Sequence, residues 1–272
     1  MLSLLKLPRE LRDAIYVHVL EDVSCAPSFD LIRERRKQLM SYGSGSIVGC
    51  NIYPIGPPPV SGLGLLLTSR QVYEEMNEAI ADLKRRKGIC YKLDCVIEDE
   101  QRLYPTWLAI PTLSEDVDKV AVDFRLAGDR RNRPSGFSYR DCAEGGPGEI
   151  TWNLIALLHR FLDRGPDFLS APKQRRKIRV GYLELNVVTP REREADFIPT
   201  TFDVSCRVAG LIHPETVVCE LEARLDILCN IENNTSGFRK YVCERVGLIT
   251  LALDGRKRRF WNLADIDWWK GI

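Results

Sequence analysis

At Gly88 the hydrophobic period of the chain changes, and no other feature narrows its fold so far. From Leu63 to about Lys87, the apolar residues Leu65, Leu66, Val72, Tyr73, Met76, Ala79, Ile80 and Leu83 share one side of a wheel turning about 100° per residue. Gln71, Glu74, Glu75, Glu78 and Asp82 take the other side. The segment reads as one amphipathic helix, with Ser61 as its cap and Gly88 as its stop. Beyond Gly88, "ICYKLDCVI" (89–97), "KVAVDFRL" (119–126) and "IRVGYLELNVV" (178–188) read as strands. "ITWNLIALLHRFLDRGP" (150–166) reads as a helix stopped by Gly165 and Pro166. "ETVVCELEARLDILCNI" (215–231) reads as another, with apolar positions at 217, 218, 221, 225 and 228. "VGLITLALDGRKRRFWNL" (246–263) makes two strands around Asp254-Gly255, a dipeptide suited to a tight hairpin, and places Trp261 in the core. This interleaving predicts an α+β fold in which N-terminal helices pack with a mixed α/β body.

The chain opens with "LLKLPRELRDAIYVHVL" at 4–20. Leu7-Pro8 starts a helix predicted to run from Pro8 to about Glu21, because proline loses nothing at the first helical position, and Glu10 and Asp13 suit its positive end. Leu11, Ile15 and Val19 form one ridge, and Tyr16 and Leu20 a second beside it. The resulting apolar face is wider than one neighbouring helix requires. Residues 22–61 are rich in turn and polyproline material and form a connector of about forty residues, either a functional loop or the host of a short helix near Leu31 to Leu39. Residues 1–88 are therefore expected to form a helical module carrying the loop 22–61. Residues 89–272 form an α+β body for partner recognition, and the two are compatible with one continuous unit.

Composition excludes some classes of function. With 44% hydrophobic and 28% charged residues the chain is of globular type, and a net charge of +1 gives no overall field for steering nucleic acid or membranes. Nine cysteines, none at zinc-knuckle or redox spacing, are expected to be mostly free, buried thiols of a reducing compartment. No charged segment leads into a long apolar run, and no stretch is long enough to span a bilayer, so a cytoplasmic or nuclear protein without membrane contact is expected.

The search for catalytic chemistry returns little. His18, His159 and His213 lack a second histidine at metal-ligand spacing, and "GSGSIVG" (43–49) completes no phosphate-binding motif. The acidic runs "EDE" (98–100) and "EDVD" (115–118) offer paired carboxylates, but each abuts a strand end where a solvated loop is expected. No enzyme, cofactor, metal or small-molecule substrate is expected. Basic residues gather in five runs that include Arg85, Arg86, Arg130, Arg131, Arg175, Arg176, Arg258 and Arg259. If they converge, they make a surface for nucleic acid or an acidic protein, the reading of a scaffold or chromatin-associated binding protein.

The opening segment and "LGLLLTSRQVYEEMNEAI" (63–80) together resemble the N-terminal signature of F-box-like proteins expanded in filamentous fungi, an "LPxExRxxIYxxVL" helix followed by "LLxTCRQxYxEA". Leu7, Pro8, Glu10, Arg12, Ile15, Tyr16, Val19 and Leu20 match the first part. Leu66, Leu67, Thr68, Arg70, Gln71, Tyr73 and Glu74 match the second, while Ser69 stands for the usual cysteine and Met76 and Asn77 depart from the small-residue continuation. The resemblance implies a substrate-recognition adaptor of a Skp–cullin–F-box type ubiquitin ligase, whose first helices dock on a Skp-type adaptor while the remaining domain presents a protein substrate. The residues implied in docking are Leu5, Leu7, Pro8, Leu11, Ile15, Tyr16, Val19 and Leu20.

Overall fold

The computed structural model describes residues 4–39, 51–132, 149–169, 177–199, 209–230 and 241–263. "GSGSIVG", Arg175, Arg176, Trp268 and Trp269 lie outside them. The architecture is α+β: helices with a mixed six-stranded sheet.

A 3-10 turn at Leu4–Lys6 leads into α1 (Arg9–Glu21), which begins one residue inside Pro8 as the proline predicts. The second predicted helix is divided into α2 (Leu63–Leu66) and α3 (Arg70–Arg85). Its cap is Ser69 rather than Ser61. Ser69 is extended at φ −157° and ψ 160°, and its Oγ accepts from the Val72 N–H at 3.2 Å. The Ser61 N–H instead donates to the Ile110 carbonyl at 2.8 Å. The period could not show the break, because apolar residues continue through it. Gly62, at φ +74°, turns the chain into α2, and a Cβ there would collide with the end of Met76.

Tyr16 and Leu20 of α1 meet Val72, Met76, Ile80 and Leu83 of α3 in a small core of their own. Antiparallel to α3, α1 forms with it a two-helix clip. Gly88 closes α3 by donating to the Leu83 carbonyl at 3.0 Å and hands the chain to β1 (Cys90–Glu98).

The remaining strands are β2 (Arg102–Ala109), β3 (Asp116–Ala127), β4 (Arg179–Val188), β5 (Val246–Leu253) and β6 (Arg256–Asn262). Their order is β2-β1-β3-β4-β5-β6; β1, β3, β4 and β5 run parallel, with an antiparallel strand at each edge. Sequence reading misses β2, which carries Pro105 in mid-strand; an edge strand tolerates it because one side of its backbone has no ladder to complete. Asp254 and Gly255, both at positive φ, form the predicted hairpin turn.

The helices α4 (Glu149–Arg164) and α5 (Pro214–Asn230) cross over from β3 to β4 and from β4 to β5. Both crossovers step the same way across the sheet, so right-handed connection puts both helices on one face. There Ile150, Leu154, Leu157 and Phe161 of α4, with Val217, Val218, Leu221, Leu225 and Leu228 of α5, cover Leu93, Val122, Phe124, Leu185 and Leu251. Trp261 joins this core at 4% exposure.

The connector after α1 forms no helix at Leu31 to Leu39. Its described parts, 22–39 and 51–61, form a strap over the opposite face of β1 and β2, where Ile32 packs on Val96 and Tyr104. The Ser24 N–H donates to the Leu108 carbonyl at 2.8 Å, Arg125 donates to the Pro27 carbonyl at 2.8 Å, and Arg33 reaches Glu98 at 2.6 Å. Arg36 binds the Tyr53 and Pro105 carbonyls, each at 2.9 Å, beneath which burial pulls its guanidinium below the ordinary range. Ile52 then pairs beside Leu103, covering the β2 edge.

The acidic run at 98–100 is not a solvated loop. Asp99 and Glu100 occupy left-handed positions of the β1–β2 turn, and Glu98, Asp99 and Glu100 are all buried under the strap and the loop after β3. Arginines satisfy them: Arg33 and Arg102 on Glu98, Arg102 on Asp99, and a bidentate Arg130 on Glu100 at 2.6 and 3.1 Å. Nor are the described cysteines mostly buried. Of the six, only Cys95 and Cys229 are buried, and Cys25 and Cys219 are exposed. Among the described residues, no helix is long and apolar enough to cross a membrane.

Candidate partner-docking surface

The geometry of α1 separates its two ridges. With about 100° per residue and Tyr16 as the reference, Leu20 lies about 40° to one side. On the other side, Arg12, Val19, Ile15 and Leu11 lie at about 40°, 60°, 100° and 140°. Exposure follows that arc: Tyr16 is at 0%, Arg12 at 8%, Val19 and Ile15 are half-buried, and Leu11 is at 53%. The ridge of Leu11, Ile15 and Val19 therefore climbs out of the clip toward solvent.

Of the docking residues expected from sequence, Tyr16 and Leu20 are enclosed within the chain and cannot touch a partner. The correction follows from α3, whose apolar side is narrow enough to cover only the ridge nearest to it. Leu5, Pro8 and Leu11 are exposed, and Leu7, Ile15 and Val19 are half-buried. Leu63, Leu67 and Tyr73 add further exposed apolar surface on α2 and α3. Tyr73 departs from the core side predicted for it because Val72 and Met76 take the contacts with α1.

The polar half of the motif is spent inside the clip. Glu75, placed on the solvent side by its period, is buried at 5% exposure. One of its oxygens accepts from Arg12 Nε and from Tyr16 Oη, both at 2.8 Å. The other accepts from Arg12 Nη2 at 2.6 Å and Gln71 Nε2 at 3.0 Å. Arg12 also donates to the Leu7 carbonyl at 2.6 Å, tying the turn before α1 to the same centre. Bonds from Arg12 hold the Glu75 carboxyl down to about 2 against the opposing effect of burial, with Gln71 and Tyr16 adding to them. Burial, followed by the bond to Glu75, raises the Tyr16 hydroxyl. At the rim of this centre, Arg9 bridges Asp13 at 2.6 Å and Glu78 at 2.7 Å and lies 3.6 Å from Glu75.

Sequence reading missed Glu75, although a signal for it was present. With Arg70, Gln71 and Tyr73 held in register, the glutamate of the "RQxYxE" pattern falls on Glu75, one residue beyond the Glu74 first matched to it. Glu74 is exposed and pairs only with Arg70, at 2.9 Å. Arg12 and Tyr16, four residues apart, stack on one face of α1 and present a guanidinium and a hydroxyl together to the same carboxylate.

Arg85 and Arg86, Arg130 and Arg131, and Arg258 and Arg259 sit on three different elements. Arg85 pairs with Asp82, and Arg86 donates to the Asp82 carbonyl at 3.4 Å. Arg130 is buried against Glu100, and Arg131 holds Asp129 at 2.9 Å. On β6, Arg258 pairs with Glu215, and Arg259 reaches Glu222 at 3.1 Å and Asp226 at 2.8 Å.

Although burial favours the neutral form of Glu98, bonds from Arg33, Tyr104 and Arg102 keep its carboxyl below the ordinary range, while burial and Glu98 together push Tyr104 up to about 12. An open groove of about 640 Å³ lies at the starts of β3, β4 and β5, but its exposed Arg179 and Asp116 pair with each other at 2.6 Å. Among the described residues, no cluster of three or more His, Cys, Asp or Glu side chains could hold a metal ion. Compared with family models, with curated proteins and with solved structures, the chain matches none.

Proposed function

We propose that this protein is a non-enzymatic adaptor of the Skp–cullin–F-box type, with a Skp-type protein docking on the outer ridge of α1 and the α/β body presenting a protein substrate. The observation that carries the reading is the division of labour within the motif. Arg12, Tyr16 and Gln71 are consumed by an internal carboxylate, while Leu5, Pro8 and Leu11 remain uncovered. A helix needs only a few such anchors to seat in a partner's groove. Folding the long connector into a strap leaves α1 and α3 in direct contact, so the insert does not separate the two motif segments.

Co-expression with a Skp-type adaptor followed by gel filtration tests the reading. Co-elution is expected at micromolar concentration, and Leu5→Asp with Leu11→Asp is expected to weaken it roughly thirtyfold or more, the loss typical of a central anchor. Separate elution of the unaltered proteins overturns the proposal. The alternative, a scaffold or chromatin-associated protein reading nucleic acid or an acidic partner, predicts binding that falls steeply with salt. The pairing of Arg85, Arg130, Arg131, Arg258 and Arg259 with carboxylates of the same chain favours it less.

A further inference from the structure

We propose that Glu75, acting through Arg12, sets the rotation of α1 about its own axis and so decides which of its two apolar ridges is left for a partner. The biological consequence rests on the docking reading above; the rotation itself does not. Apolar contact is non-directional and gives weak preference among similar ridges. On α1 the ridge of Leu11, Ile15 and Val19 and the ridge of Tyr16 and Leu20 are both large enough to face α3. Arg12 lies between them. Were it apolar, the arc from Leu11 to Tyr16 would run unbroken through about 140°, with Arg9 standing between Tyr16 and Leu20.

What breaks the symmetry is the directional contact. The guanidinium of Arg12 meets Glu75 edge-on with two parallel bonds, a geometry that tolerates little rotation. Tyr16 Oη fills the remaining site on the shared oxygen, and Gln71 fills the other, so both oxygens each accept two bonds. Turning α1 to bury Ile15 and Leu11 would break the bonds from Arg12 and Tyr16 together and strand a carboxylate in the clip. Buried ion pairs are better attested as devices for selecting register than as sources of stability, and this one selects a helix face. Glu75 is thus a positioning residue, buried where no partner reaches it.

Hydroxyl-radical footprinting of the full chain reads the rotation directly, as the ratio of side-chain oxidation at Leu11 to that at Leu20. The native protein should give a high ratio. Replacing both charges in Arg12→Leu/Glu75→Leu leaves no buried ion unpaired; the ratio is expected to fall roughly tenfold, toward unity, while circular dichroism shows the helices retained. If the double variant fails to fold, Glu75→Gln keeps the shape and removes the charge, and the same fall is read there. An unchanged ratio in a folded variant overturns the proposal, because apolar packing alone would then set the rotation. So does loss of α1 with the sheet intact, because Glu75 would then merely hold the helix on. Gel filtration of the same samples with a Skp-type adaptor separates the two ideas: native protein that fails to bind removes the docking reading and leaves the footprint to judge Glu75.

Discussion

The clip and the sheet are held together in different ways. The sheet core is continuous from Tyr91 on β1 to Trp261 on β6 and is sealed by two helices whose apolar stripes lie flat on it. The clip has six buried apolar side chains and, at its centre, a carboxylate with four hydrogen bonds. A sheet face can be covered completely by its own crossover helices. A single helix packed on a single neighbour cannot, and its excess apolar surface stays outside. The outer-ridge residues Leu11, Ile15 and Val19 thus lie where α1 lacks internal cover.

That contrast can be broken by experiment, beginning with the strongest expected effect. Phe124→Ala, in the middle of the sheet core at 1% exposure, is expected to cost about 3–5 kcal/mol and to lower the melting of every element together, read by calorimetry. Met76→Ala is expected to cost roughly 2–5 kcal/mol, but hydrogen exchange should accelerate in α1 and α3 while β3 and β4 stay protected. Uniform acceleration would show that clip and sheet unfold as one unit. Acid should separate them as well. Because Glu75 titrates near 2 in the folded clip and near the usual carboxylate value when unfolded, its contribution is complete above about pH 4.5 and is lost as pH falls toward 2. Exchange in α1 and α3 should therefore rise across that window before that of β4. Ser69→Ala removes the cap of α3 and is expected to cost about 1 kcal/mol, measured by urea denaturation. Leu11→Asp should be the mildest, within about 0.5 kcal/mol of the native protein; a larger loss would mean that the outer ridge is needed by the fold itself.

Much of the fold was legible residue by residue. The starts of α1 and β1, the apolar stripe of α5, the Asp254-Gly255 hairpin and the burial of Trp261 follow from local pattern, because each depends on neighbours within one or two turns of the chain. The failures share a different character. The period of α3 points Glu75 to solvent, and the position of Glu98 to Glu100 at a strand end does the same for them. Both signals are local, whereas the cations that reverse them come from afar: Arg12 lies 63 residues from Glu75, and Arg33 lies 65 from Glu98. The β2 strand was hidden by Pro105, which only its edge position makes acceptable.

The amino-acid sequence alone determined the helices α1, α4 and α5, the strands β1, β3, β4, β5 and β6, and that α1 carries more apolar surface than one neighbour covers. The tertiary structure alone decided the order of the strands, the course of the connector over β1 and β2, and which ridge of α1 turns inward. The physical reason is that amphipathicity is written in the spacing of nearby residues. The burial of a charge, by contrast, waits on a partner that only the folded chain brings within reach.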